Sequence, residues 1–304
     1  MFAGESGGVL LAAGGTNFPD QKPWEGGSKV YYDTIFALDR PDGKWTRVGK
    51  LPRALGYGAS IPTSEGLLCA GGATATEHRR ECFLIRYRDR KLEIRPLPDL
   101  PAPRANLCGA GFGSLVFVAG GTETPMSTAA ANTFWRLDLT ALDKGWVALP
   151  PCPGPGRMLS VAAIADGAFY LFSGVSLAPG AEGKPVRTYL HDAWRYVPQK
   201  GWEPLPDLPF AAVAAPSPAP VIFGRIEIVG GDDGTLAAFE PKSQHPGFAK
   251  RLLEFDPREN AWTQSVEVPI APVTCPVAKW QDRFVIVGGE IRPGVRTTEV
   301  WSLR

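Results

Sequence analysis

The chain has no Cys-x-x-Cys pair, and its five cysteines, at positions 69, 82, 108, 152 and 275, are an odd number. This argues against a disulfide framework or a structural zinc and for small, buried thiols. Histidine is scarce too: His78, His191 and His245 lie far apart, so neither a metal nor another cofactor is expected. Neither sign of charge prevails, with 32 Lys and Arg against 31 Asp and Glu. With no basic stripe, nucleic acid is not an expected partner. No apolar run reaches the roughly 18 to 20 residues of a membrane span. The early stretch "GVLLAAGG" is short, follows Glu5 and has no Lys or Arg before it. It reads as a strand rather than the core of an export signal, and the expected location is cytoplasmic.

What the chain has in plenty is turn residues, 35 glycines and 30 prolines spread along its 304 residues. They punctuate a repeat. An apolar strand ending at a double glycine recurs as "VLLAAGG", "LLCAGG", "VFVAGG", "IEIVGG" and "VIVGG", and Ser173-Gly174 closes the matching "YLFSG". Each leads to a second strand, such as "DTIFALD", "NTFWRLD" or "RLLEFD". Trp45, Trp146, Trp202 and Trp262 then follow in four repeats, and Ile94 takes that place in the second. A proline-rich turn and another short strand complete the unit. Four short strands per repeat of about 50 to 60 residues is the blade of a β-propeller. The double glycine allows close approach and positive φ where the chain leaves a strand. The expected fold is therefore all-β, a six-bladed β-propeller, as one domain over residues 1–304. The last repeat stops after three strands, and "MFAG" supplies the inner strand of the first, so the blade holding Gly288 should lack its outer strand or borrow one.

Alternating strand direction puts the residues after each Gly-Gly and the proline-rich turns on one mouth of the ring. The residues after the glycines are Thr16, Ala73, Thr122, Val175, Asp232 and Glu290. A glutamate occurs in only one of the six blades, so the fold does not require it. Glu290 is either a solvated surface charge or a reactive carboxylate, with Arg296 six residues on. Arg53, Arg104 and Arg157 stand in similar turns, where Phe210 and Ile270 appear in two other blades. This suggests a mouth that is basic on one side and apolar on the other. Guanidinium forks suit a carboxylate ligand, but arginines in such turns also tie loops to backbone carbonyls. Asn17 is a further candidate for ligand binding. The long segments 16–33 and 232–250 could bring Phe18, Trp24, Phe239 and His245 over the mouth.

The Gly-Gly strands and tryptophans resemble kelch repeats over nearly the whole chain. "GGEIRPGVRTTEVW", "KVYYDTIFALDRPDGKWTRVGKLPRALGYGASIP" and "GFAKRLLEFDPRENAWT" further resemble the bacterial N-acetylneuraminate epimerases, or sialic acid mutarotases. The order of blocks is that of a cyclically permuted branch, because the Glu–Arg loop comes last instead of mid-chain. The resemblance implies a six-bladed propeller acting on a small-molecule sugar acid, with Glu290 and Arg296 catalytic; Arg53, Arg104, Arg157 and Asn17 stand beside them as candidates for substrate binding. Its well-known members are periplasmic. Two other classes compete: a kelch module gripping an acidic peptide at its mouth, and a kelch-type copper oxidase. The scarce histidines and the lack of an evident Tyr–Cys copper constellation count against the second.

Overall fold

The computed structural model describes residues 1–263 and 266–303. It is all-β and contains six radial antiparallel sheets. The first blade runs Phe2–Ser6, Val9–Ala13, Thr34–Leu38 and Thr46–Lys50 from axis to rim. The second holds Ala59–Thr63, Gly66–Ala70, Cys82–Arg88 and Lys91–Leu97, and the third Cys108–Phe112, Leu115–Ala119, Phe134–Asp138 and Val147–Ala148. The fourth contains Val161–Ala165, Ala168–Phe172, Ala193–Val197 and Gly201–Leu205. In the fifth, Val221–Ile222, Arg225–Val229 and Arg251–Asp256 are followed by Ala261–Trp262 and Val266–Glu267, which both pair with Arg251–Asp256. The sixth has three described strands, Val277–Trp280, Arg283–Arg292 and Val295–Leu303. Phe2–Ser6 is indeed the inner strand of the first blade, as the repeats indicated.

The core lies between blades. Tyr170 and Phe172 of the fourth pack on Phe255 and Trp262 of the fifth, and Phe117 and Phe134 of the third on Phe169 of the fourth. Three tryptophans add a polar tie between neighbours. Trp146, Trp202 and Trp262 each donate an indole N–H to a proline carbonyl ending the preceding blade's outer strand: Pro98, Pro150 and Pro206, at 2.8 to 2.9 Å. An indole N–H packed at a blade seam, even half-buried, is satisfied by such an acceptor.

The double glycines are required by a close approach. A Cβ on Gly71 would stand 2.4 Å from the Arg104 carbonyl, and one on Gly120 2.2 Å from that of Arg157. Without side chains, the neighbouring Gly72 and Gly121 amides reach those same carbonyls at 2.7 and 2.8 Å. In the last repeat the strand does not stop at Gly288-Gly289. It continues through register shifts to Arg292 and turns back directly into Val295–Leu303. This hairpin projects Glu290 and Arg296 from one two-stranded ribbon.

Candidate functional site

A collar of backbone encircles the axis at one mouth. Tyr57, Asn106, Leu159, Ala214 and Thr274 all adopt left-handed φ, between 55° and 61°. They are joined in sequence: the amides of Asn106, Leu159, Ala214 and Thr274 donate to the carbonyls of Tyr57, Asn106, Leu159 and Ala214 at 2.7 to 2.8 Å. All five line the central channel, whose cavity is only about 70 Å³. Cys108 and Cys275 also line it, and burial pushes each thiol up to about 12, so neither is a nucleophile at neutral pH.

Beside Tyr57 stands the hairpin pair. Glu290 and Arg296 face each other across the ribbon, and Arg296 Nη1 contacts Glu290 Oε2. Their side chains are 16% and 14% exposed. The Gly294 amide at the tip donates to Glu290 Oε1 at 2.7 Å, so the turn itself orients the carboxylate. Arg296 Nη2 donates to the Tyr57 hydroxyl at 3.2 Å, and Thr16 Oγ1 lies 3.2 Å from the same oxygen. Lys29 Nζ sits 4.9 Å from the centre of the Tyr57 ring. Burial works to raise the Tyr57 phenol, but Arg296 and Lys29 outweigh it and hold it below its ordinary value of 10. Burial also lowers the Arg296 guanidinium, opposed by the phenol. The result is a half-enclosed group of one carboxylate, two cations and an acidified phenol, able to hold an anion and to exchange protons.

Both long loops reach this hairpin. Pro23 and Trp24 lie over Gly294, where a Cβ would come within 2.7 and 3.1 Å of them. Arg292 Nη1 donates to the Ser243 carbonyl at 2.9 Å. Not every aromatic residue roofs the mouth, however. His245 is buried between Phe239 and Phe248 of its own loop.

No family model matches the chain. Among curated proteins, the N-acetylneuraminate epimerase of Escherichia coli O9:H4 (strain HS) is 26% identical over 233 residues, covering 68% of this chain and 60% of that protein. The N-acetylneuraminate epimerase of Shigella sonnei (strain Ss046) is also 26% identical, over 235 residues and the same shares of the two chains. The chain resembles the N-acetylneuraminate epimerases. The match spans about 60% of the length of these relatives. A solved structure titled "Structure of YjhT" superposes over 98% of this chain and 92% of its own with a TM-score of 0.70, at 13% identity, and so shares the fold.

Of the candidate residues named from the sequence, the structure brings Glu290 and Arg296 together and sends the others elsewhere. Arg104 is buried, donating to Glu123 Oε1 at 2.8 Å and to the Pro103 carbonyl, and lying over the Trp135 ring. Arg157 is buried in a two-pronged pair with Asp192, at 2.8 and 2.5 Å, and also bonds the Ser173 carbonyl. Both therefore fasten loops between strands rather than face a ligand. Arg53 is not their counterpart at all. The carbonyl that meets Gly15 is that of Leu55, as those of Arg104 and Arg157 meet Gly72 and Gly121. Arg53 lies two residues earlier and pairs with Glu81 at 3.0 Å. By the same register Ala212 and Pro272, not Phe210 and Ile270, hold the slot in later turns, because Val213 and Val273 bridge Asp232 and Glu290. The basic side of the mouth is thus built from Arg296 and Lys29. Asn17 accepts the Phe18 amide at 2.8 Å and lines a separate cavity at the seam between the first and sixth blades.

Tyr57 and Lys29 were not singled out from the sequence, and Thr16 was named only as the residue following a double glycine. Tyr57 had a signal: it fills a collar slot held in other blades by Asn, Leu, Ala and Thr. Lys29 had none, because its loop has no counterpart in the other repeats. Among the described residues, no three His, Cys, Asp or Glu side chains gather as a metal site.

Proposed function

We propose that the protein is an isomerase that interconverts the anomers of a sugar acid of the N-acetylneuraminate type. The observation that carries this reading is the Glu290–Arg296–Tyr57 cluster at the propeller mouth, in a chain similar to proteins named N-acetylneuraminate epimerase. In this reading the substrate carboxylate replaces Glu290 on the Arg296 fork. That places the anomeric carbon, which bears the carboxylate, next to the Glu290 side chain. Glu290 then takes the proton of the anomeric hydroxyl while water protonates the ring oxygen as its bond to the anomeric carbon breaks; when the freed hydroxyl adds to the other face of the ketone it gives its proton to water, and Glu290 returns its proton to the new anomeric oxygen. Arg296 is the anchor, and Tyr57 keeps its guanidinium turned to the mouth. Acid–base help of this kind is worth about 10²- to 10⁴-fold. A module gripping an acidic peptide through the turn arginines is less well supported, because Arg104 and Arg157 are already paired with Glu123 and Asp192.

The test is anomer exchange by proton NMR on freshly released α-N-acetylneuraminate. Wild type should accelerate it, and Glu290→Gln should lose about 10²-fold or more with an unchanged melting temperature. Exchange by Glu290→Gln at the wild-type rate would remove the carboxylate from the mechanism.

A further inference from the structure

Opening the sugar ring needs a proton at the ring oxygen as well as a base at the anomeric hydroxyl. Unaided water, with a pKa of about 15.7, is a weak source of that proton. Glu290 and Tyr57 flank the Arg296 guanidinium. Nη1 contacts Glu290 Oε2, and Nη2 donates to the Tyr57 hydroxyl at 3.2 Å. A carboxylate gripped by this fork carries its neighbouring carbon between the two side chains. In a sugar acid of the proposed type that carbon is the anomeric one, and it bears two oxygens, the hydroxyl and the ring oxygen. With Glu290 serving the first, the second turns toward Tyr57.

The hydrogen bonding of Tyr57 is one-sided. Arg296 Nη2 and Thr16 Oγ1 both donate to its oxygen at 3.2 Å, and Lys29 Nζ lies 4.9 Å from the ring centre. A phenol offers one proton and accepts from others. Among the described residues no acceptor takes the Tyr57 proton. Its polar neighbours thus favour the anion that remains when the proton leaves. The other ionisable groups nearby do not compete. The Tyr31 ring stands edge-on at 6.3 Å, and burial first, then Tyr57, raise its phenol. Cys108 and Cys275 line the same channel with thiols pushed up to about 12, and Glu290 is joined to Tyr57 through Arg296.

We propose, resting on the isomerase reading, that Tyr57 is the proton donor behind the water that protonates the ring oxygen. The phenol passes its proton to that water as the water gives one to the ring oxygen and the bond from that oxygen to the anomeric carbon breaks. Arg296, Lys29 and Thr16 hold the phenolate. When the freed hydroxyl adds back to the ketone, its proton goes to the water, and the water returns one to Tyr57. No proton is gained or lost over the cycle. Holding the phenol below 10 serves this role, because an acid works best with its pKa close to the working pH.

The test is NMR anomer exchange on freshly released α-N-acetylneuraminate from about pH 6 to 10, with the spontaneous rate subtracted and melting as the folding control. Wild-type kcat/KM should fall as pH rises through the folded value of Tyr57, in step with the first phase of an ultraviolet tyrosine titration. Tyr57→Phe should lower kcat about 10²-fold and abolish that alkaline fall. Lys29→Met, on an exposed part of its loop, removes one cation and should move the fall and the absorbance phase to higher pH together. Tyr31→Phe should leave both in place. If Tyr57 only aims Arg296, Tyr57→Phe will raise KM and keep both kcat and the alkaline fall, which overturns the proposal. So does a fall that stays put while Lys29→Met moves the absorbance phase. A wild type that leaves exchange at the spontaneous rate overturns the isomerase reading and this one with it, whereas acceleration by wild type with Tyr57→Phe at full kcat overturns the role of Tyr57 alone.

Discussion

At the scale of the residue, the mouth is defined by how Tyr57 and Arg296 alter each other, and this has a measurable pH signature. Arg296 and Lys29 hold the Tyr57 phenol below 10 against the effect of burial. Tyr189 moves the other way, to about 12, through burial and the Asp232 carboxylate, which accepts its hydroxyl at 2.9 Å. An absorbance titration at alkaline pH should therefore show Tyr57 ionising early and Tyr189 late, with Tyr57→Phe deleting the early phase. The signs for stability are opposite. A folded value below the unfolded one adds stability only as pH rises above the folded value, so Tyr57 contributes nothing through this linkage at pH 7. A raised value contributes in full below 10, and Tyr189 loses that contribution as pH climbs toward 12. For the proposed reaction, Arg296→Lys keeps the charge but loses the fork, so KM should rise about tenfold with a smaller change in kcat. Glu290 and Arg296 were legible in the sequence because one blade departed from its five sisters. Arg53 was misassigned because its Arg-Ala dipeptide resembles that of Arg104, and only the backbone register to Gly15 and Gly72 separates the two.

At the scale of the element, the turn arginines bear load where the sequence suggested ligand binding. Burial opposes ionisation of Asp192, yet the bonds from Arg157 and Trp194 hold its carboxyl below the usual value. That contribution is present above about 3.8 and fades as pH falls through the lowered folded value. Asp192→Asn leaves the buried Arg157 without its counter-charge and should cost about 3 kcal/mol in urea unfolding at pH 7. Glu227 is the reverse case. It is buried in Arg225–Val229 opposite Glu254, and burial first, then that neighbour, raise its carboxyl to about 7. A raised acid contributes its stability in full below the unfolded value near 4.5 and loses it as pH rises toward 7. Glu227→Gln should accordingly stabilise the protein at pH 8 by up to about 3 kcal/mol and have little effect at pH 4. The strands were legible because Gly-Gly, Trp and Leu-Pro recur. The Arg157–Asp192 and Glu227–Glu254 pairs were not, because each joins residues whose distance in sequence carries no period.

At the scale of the molecule, six sheets and their order around the axis followed from spacing alone, since a repeat that cannot bury its faces singly must stack on neighbours. We expect residues 1–304 to unfold as one unit. Far-UV circular dichroism and tryptophan fluorescence should give coincident urea transitions, whereas two separated transitions would divide the chain into domains. What spacing could not supply was the hairpin that runs on past Gly288-Gly289, because its register shifts leave no mark in the residue pattern.

The collar carries a last consequence. Its members are held to one another by their peptide groups, so the hydrogen bonds of the frame do not draw on the side chains. Five residues of different chemistry, bearing a phenol, a carboxamide, an isobutyl, a methyl and a hydroxyl, line one channel from a shared backbone frame. Each non-glycine residue in that left-handed geometry costs about 1 kcal/mol, least for Asn106 and most for the β-branched Thr274. The collar therefore separates two duties: peptide groups hold its shape, while the polar side chains of Tyr57, Asn106 and Thr274 are left to set what the mouth admits.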